Sequence, residues 1–219
     1  MVSLGHLLRP VSADLADEFD DQPLPGALVH ALDLAHLLPV PGIVAPPHVH
    51  EGATVAAIAG PDVLTYDRVG ALRTFAARAR IGVANTWGAK GVYPWDDPHH
   101  LGTVGLQRDD FDLLDLDTVD VVLMIGTDPD ESPEDAIGRP VLHVHPYHLD
   151  HLAVTPRDAL PARPRFFDTI AAIAQPGYAS EVHPRHPARA VMDLKRGVPP
   201  GGIVTAEPGP VGLWFARTF

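Results

Sequence analysis

Short runs of apolar residues recur along the middle of the chain, and each run is bounded by turn residues. These runs cover residues 54–59, 81–84, 119–125 and 141–144. Continuous apolar runs of this length are typical of parallel strands that are buried on both faces. The loops that follow such strands are where ligands bind.

Helical spacing of apolar residues separates the first two predicted strands. Within residues 67–80, Val69, Leu72, Ala76 and Ala79 fall on one stripe, and the arginines lie elsewhere. A strand, a helix and a strand at this length form a βαβ unit with a right-handed crossover. The fold class predicted is α/β, a parallel sheet flanked by helices. Further helices are predicted at 12–20, 27–38, 108–116, 166–175 and 188–196, and further strands at 41–46 and 202–206.

Composition and charge narrow the class of partner. The 219 residues carry a formal net charge of −12, which argues against nucleic acid and anionic membranes as partners. The absence of cysteine excludes disulfides and thiolate chemistry. Lys90 and Lys195 are the only lysines, and this bias towards arginine, together with 24 prolines, suggests a GC-rich bacterial gene. We see neither a targeting segment nor a membrane-spanning run, so we expect a soluble cytoplasmic protein.

Four motifs follow one another between residues 82 and 126. They are TWGAKG at 86–91, a proline-rich turn with Pro94 and Asp97-Pro98, LGTVG at 101–105, and VVLMIG at 121–126. In this order and spacing they resemble the central domain of the thiamine-diphosphate enzymes of the acetolactate synthase and benzoylformate decarboxylase group. The resemblance implies a Rossmann-like central domain.

The same resemblance implies a domain organisation. Residues 1–50 correspond to the end of a pyrimidine-binding domain, 51–178 to the central domain, and 179–219 to the start of a pyrophosphate-binding domain. In the family, an activating glutamate and a Gly-Asp-Gly motif that holds magnesium serve the cofactor. The chain has no Gly-Asp-Gly motif and no glutamate in the expected place.

These missing motifs shape the expected function. We assign no catalytic residue and expect an incomplete acetolactate synthase-like protein that is inactive alone. Thiamine diphosphate and magnesium are expected only as part of a completed assembly, in which a partner chain supplies both cofactor-binding domains. The expected partners are a complementing subunit or, in a homo-oligomer, further copies of this chain. The family chemistry would be decarboxylation of a 2-oxo acid and transfer of the two-carbon unit.

Some relatives bind FAD or ADP at the central domain, and the resemblance transfers that site to the loops after the strands. Glycine lets backbone amides approach phosphate, and Lys90 would add a positive charge. Thr127 and Asp128 stand where dinucleotide-binding relatives often have arginine, and His143-Val144-His145 replaces an acidic strand end. The alternatives are a non-catalytic nucleotide-binding or assembly module and a structural domain with an empty site. The candidate cofactor-binding residues are Thr86, Gly88, Lys90, Gly102, Gly105, Gly126 and Thr127.

Thirteen histidines raise the question of a metal site, since neutral imidazole binds zinc and copper. The histidines at 48–50, 99–100 and 143–151 lie beside prolines, which mark these segments as loops. We therefore expect no metal, although His145, His148 and His151 are the first candidates. The usual serine hydrolase and phosphate-binding motifs are absent.

Overall fold

The structure, a computed structural model, describes residues 47–206 and 209–219, which belong to one compact unit. The helices predicted at 12–20 and 27–38 and the strand predicted at 41–46 lie outside these residues. So does the proposed end of a pyrimidine-binding domain, apart from residues 47–50.

Five parallel strands form one sheet in the order β3-β2-β1-β4-β5. This arrangement confirms the predicted α/β fold with a parallel, Rossmann-like sheet. The strands are β1 (Val55–Ala59), β2 (Val83–Thr86), β3 (His100–Val104), β4 (Val121–Ile125) and β5 (Val141–Val144).

α-Helices and 3₁₀ segments connect and cover the strands. The helices are α1 (Asp62–Thr65), α2 (Val69–Ala79), α3 (Arg165–Tyr178), α4 (Pro187–Gly197) and α5 (Pro210–Thr218). The 3₁₀ segments are Trp87–Ala89, Arg108–Leu114, Leu116–Thr118, Glu134–Ala136 and Pro146–Asp150.

Alternate residues of the strands enter two separate apolar layers, because successive side chains of a strand point to opposite faces. On one face, β1 and β4 pack against Leu72, Phe75 and Ala76 of α2. On the other face, the same strands pack against Phe111 and Leu114 of the 3₁₀ segment that precedes β4. Burial on both faces explains why the strands are continuous apolar runs.

Two local predictions differ from the structure. Residues 108–114 form a 3₁₀ segment instead of an α-helix, and the Asp110 carboxylate caps its start by accepting from the amides of Leu106 and Gln107. Residues 202–206 are not a strand.

The end of the chain packs as three consecutive helices beside the edge strand β3. Helix α3 continues through Pro176 and Gly177, the place where the sequence suggested a boundary. A Cβ atom at Gly177 would lie 2.8 Å from Cβ of Ala188, so α3 and α4 are in close contact. The Tyr178 hydroxyl lies 2.9 Å from Oγ1 of Thr218 in α5. The assignment of 179–219 to a second domain stays a prediction.

We predict that Gly60→Ala strongly destabilises the fold. The added Cβ would overlap Cα of Thr127 and lie 2.7 Å from its backbone nitrogen, and backbone cannot rotate away as a side chain does. Chemical denaturation should show a loss of at least about 2 kcal/mol in the free energy of unfolding.

Gly70→Ala is the matched control, because a Cβ at Gly70, near the start of α2, meets nothing within 4 Å. This variant should be as stable as wild type or up to about 1 kcal/mol more stable. Equal stability of the two variants would show that the contact at Gly60 is not close.

Candidate functional site

The loops that follow the strands meet at the carboxyl end of the sheet, where parallel α/β proteins bind their ligands. From β1 the chain runs outward to β2 and β3, and it then returns to the other side of β1 to form β4 and β5. The reversal places the switch point, and therefore the expected crevice, between β1 and β4. Gly60 follows β1 at this point, and Gly126 and Thr127 follow β4.

Backbone hydrogen bonds join the two strands at this switch point. The Gly60 amide donates to the carbonyl of Ile125 at 2.9 Å, and the Asp62 amide donates to the carbonyl of Gly126 at 3.1 Å. Thr127 lies so close to Gly60 that a side chain at position 60 has no space. Strand pairing therefore continues past the ends of β1 and β4.

Gly126 needs to be glycine for two reasons. Its φ of +56° lies in the left-handed region, which glycine adopts at little cost. A Cβ atom there would lie 2.6 Å from Cβ of Asp62 and 2.8 Å from Cγ of Pro146. The predicted site residue Gly126 is thus enclosed by the chain, with an acidic side chain beside it.

Glu131 connects two of the predicted ligand-binding loops. The Gly88 amide donates to both carboxylate oxygens of Glu131, at 3.0 and 3.1 Å. The backbone carbonyl of Glu131 lies against Gly105, where a side chain would clash with it. The Glu131 carboxylate therefore accepts the hydrogen bond of the backbone amide that the resemblance assigns to a phosphate.

Lys90 lies at the same end of the sheet and is half-buried. Burial, with the positive charges of Arg217 and Lys195, lowers the pKa of Lys90 to about 8. Close to it in sequence, the buried Thr86 hydroxyl has no hydrogen-bond partner among the described residues. Thr86 thus ends β2 with an unused hydroxyl, and the loop that follows carries Lys90 and the Gly88 amide that Glu131 engages.

Gly102 has a different environment from the other predicted site residues. It lies within β3 at a φ of +135°, and a Cβ there would lie 2.5 Å from Cδ1 of Phe166 in α3. Its role in the structure is to let an aromatic ring pack closely on the edge strand. The structure therefore brings Gly88 and Gly105 together through Glu131, and places Gly102 in a packing contact. The assignment of the seven residues to a cofactor stays a prediction.

Arg217 and Asp110 form a buried ion pair that the sequence analysis did not find. Their side chains are 8% and 2% exposed, and the Arg217 Nη2 to Asp110 Oδ1 distance is 2.5 Å. Arg217 Nη1 also donates to the carbonyl of Thr103 at 3.0 Å. The ion pair attaches helix α5 to the 3₁₀ segment that contains Asp110, and the hydrogen bond to Thr103 attaches it to the edge strand β3. Arg217 and Asp110 are too far apart in sequence for a local pattern to reveal their pairing.

His100 begins β3 and is buried beneath the rings of Tyr93 and Phe167. Its Nε2 lies 2.9 Å from Oδ1 of Asn85, which is also buried. Burial, and then the positive charge of Lys90, lower the pKa of His100 to about 4. The imidazole is therefore neutral at physiological pH and serves as a hydrogen-bonding core residue.

The histidines do not form a metal site in the described part of the chain. The rings of His145 and His148 are 6.2 Å apart between centroids, but no third ligand converges on them. More generally, residues 47–206 and 209–219 contain no group of three or more His, Cys, Asp or Glu side chains that could hold a metal ion.

A parallel sheet of this order, with helices on both faces, defines a Rossmann-like α/β domain. The sequence family described as thiamine pyrophosphate enzyme, central domain, matches residues 48–158, just over half of the chain. The chain belongs to this family. No curated protein matches it.

The family implies thiamine diphosphate, usually with magnesium. Magnesium needs oxygen ligands that converge on it and on the phosphate groups of the cofactor. The described residues supply no such group, and the sequence contains no Gly-Asp-Gly motif. These residues therefore do not fit the metal-diphosphate end of the cofactor, and we assign no catalytic step to them.

Across the described residues, none of the helices combines the length and apolar character needed to span a membrane.

We predict that His100 makes stability fall below neutral pH. The folded pKa of about 4 lies below the ordinary value of 6.5, so the unfolded chain takes up a proton first as pH falls. The stabilisation is complete above pH 6.5 and is lost between 6.5 and 4, by up to about 1.4 kcal/mol per pH unit.

Urea unfolding between pH 7 and pH 5 measures this loss. His100→Gln keeps a hydrogen-bonding group opposite Asn85 but cannot titrate, so its stability should fall less than that of wild type. An equal fall in both proteins, or an NMR titration of His100 near pH 6.5, would contradict the prediction.

Proposed function

We propose that this chain provides the central, non-catalytic domain of a thiamine-diphosphate-dependent protein of the acetolactate synthase and benzoylformate decarboxylase group. The assembly would decarboxylate a 2-oxo acid and transfer the resulting two-carbon unit. Membership of the central-domain family supports the class of protein. The order of the motifs at 86–91, 101–105 and 121–126 supports the group within that class.

One observation carries the non-catalytic part of the proposal. Both carboxylate oxygens of Glu131 accept a hydrogen bond from the Gly88 amide. A backbone amide engaged by a carboxylate of the same chain is not free to bind an anionic cofactor, and the fixed negative charge repels phosphate. At the carboxyl end of the sheet, the contacts of Glu131 then hold neighbouring loops together.

The proposal includes partners and a location. Catalysis would require the pyrimidine-binding and pyrophosphate-binding walls of the cofactor pocket from a complementing subunit, because further copies of this chain lack the same motifs. The net charge of −12 disfavours nucleic acid and anionic membranes as partners. We propose a bacterial, cytoplasmic assembly, in which residues 1–50 and 179–219 belong to the flanking domains.

A nucleotide-binding module is the second candidate, with ADP or FAD as the ligand. The observation that favours it is the loop with Lys90 and the unpartnered hydroxyl of Thr86. A phosphate could reach this loop only if Glu131 left Gly88. The two candidates therefore differ in what happens when Glu131 is changed.

We predict that the purified chain does not bind thiamine diphosphate with magnesium when it is alone. Trp87 lies in the loop after β2, so its fluorescence is a suitable probe, and calorimetry gives an independent measurement. The expected result is no saturable change up to millimolar cofactor, and no release of carbon dioxide from pyruvate. Saturable binding that depends on magnesium would overturn the proposal.

We predict that Glu131→Gln lowers stability and does not create a nucleotide site. Loss of the charge-assisted hydrogen bonds to Gly88 should cost about 1–3 kcal/mol in the free energy of unfolding. Glu134→Gln is the matched control, because Glu134 is an exposed acid three residues away that contacts only His143 among the described residues. Calorimetric titration with ADP should show no binding in either variant. Binding to wild type that becomes tighter in Glu131→Gln would instead support the nucleotide-binding module.

A further inference from the structure

A cavity of about 800 Å³ lies at the amino end of the sheet, opposite to the end at which the family motifs meet. Its floor is made of buried apolar side chains from β1, β3 and the segment before β4. These are Ala56, Leu101, Leu114, Leu116 and Val119. Neither the family match nor the sequence motifs assign a role to this cavity.

The chain segment 155–163, which we term the strap, forms the other wall of the cavity. Hydrogen bonds hold it at both ends. The Thr155 hydroxyl accepts from the Gly52 amide at 3.0 Å, and the Arg157 amide donates to the carbonyl of Ala79 at 3.1 Å. At the other end, Arg163 donates to the carbonyl of Trp95 at 3.4 Å. The strap is therefore a fixed wall.

The strap is built of residues that leave the cavity open. Between its fastened ends it carries Ala159, Leu160, Pro161 and Ala162, and only Leu160 has a long apolar side chain. Protein interiors are normally close-packed, so an apolar floor that faces small side chains leaves a space that the strap does not fill. The volume falls within the range of small-molecule sites, which are mostly apolar and contain a few polar groups.

The charged residues of the lining indicate the charge of the ligand. They are Arg157, Arg163, Asp115 and Asp158. Asp115 is paired with Arg165 at 2.6 Å, and the guanidinium of Arg163 lies 3.7 Å from the centre of the Phe167 ring. The side chain of Arg157 has no hydrogen-bond or ion-pair partner within residues 47–206 and 209–219, and Asp158 is exposed next to it. Arg163 donates to the carbonyl of Trp95 and contacts the Phe167 ring, so Arg157 is the lining arginine whose guanidinium is free to pair with a single negative charge.

We propose that this cavity binds an amphipathic monocarboxylate. The hydrocarbon part of the ligand lies on the apolar floor, and its carboxylate pairs with the guanidinium of Arg157. Arginine presents two parallel N–H groups that match the two oxygens of a carboxylate. The site is independent of the proposed function at the carboxyl end of the sheet.

Calorimetric titration with octanoate tests the proposal, and octan-1-ol serves as the uncharged probe of the same length. Wild type should bind octanoate saturably. Ala162→Trp, which places an indole from the strap in the cavity, should weaken octanoate binding at least tenfold. Arg157→Gln should weaken octanoate binding by about tenfold and leave octan-1-ol binding unchanged, because only the charged head group loses its partner.

Ala172→Trp is the control, because Ala172 is exposed on α3 and outside the cavity. It should bind octanoate as wild type does, and circular dichroism should show that all three variants are folded. Absence of saturable binding to wild type, unchanged binding to Ala162→Trp, or equal weakening of both probes by Arg157→Gln would each overturn the proposal.

Discussion

The close approach of Gly60 to Gly126 and Thr127 is the constraint on which the described part of the molecule depends. It allows β1 and β4, the two central strands, to remain paired beyond their last ladder residues. The neighbouring strands extend the sheet from this pair in both directions. The missing side chain of Gly60 therefore permits the backbone approach at the centre of the sheet, where a side chain would meet Thr127 and Gly126.

The two ends of the sheet consequently differ in character. At the carboxyl end, two groups that could meet an anionic ligand are engaged within the chain: the Gly88 amide donates to Glu131, and Arg217 pairs with Asp110. The Thr86 hydroxyl is not engaged by any described residue. At the amino end, an apolar floor faces a strap of small side chains and leaves a cavity.

Four of the five strands could be predicted from sequence, since apolar runs and turn residues report burial directly. The strand β3 could not, because it begins with the buried polar His100 and contains Gly102, which accommodates the Phe166 ring. The loops after the strands were predicted to bind a ligand, and that assignment stays a prediction. Their occupant could not be foreseen, since Glu131 is 43 residues from Gly88 and Arg217 is 107 residues from Asp110.

The central claim is that Glu131 engages the Gly88 amide at the carboxyl end of this domain, so that this end holds no cofactor unaided. NMR spectra of the ¹⁵N-labelled chain test it directly, because the Gly88 amide reports whether Glu131 stays bound. Addition of thiamine diphosphate with magnesium, of ADP, or of FAD should leave the amide shifts of Gly88 and Gly105 unchanged. A saturable shift of the Gly88 amide with any of these ligands would contradict the account.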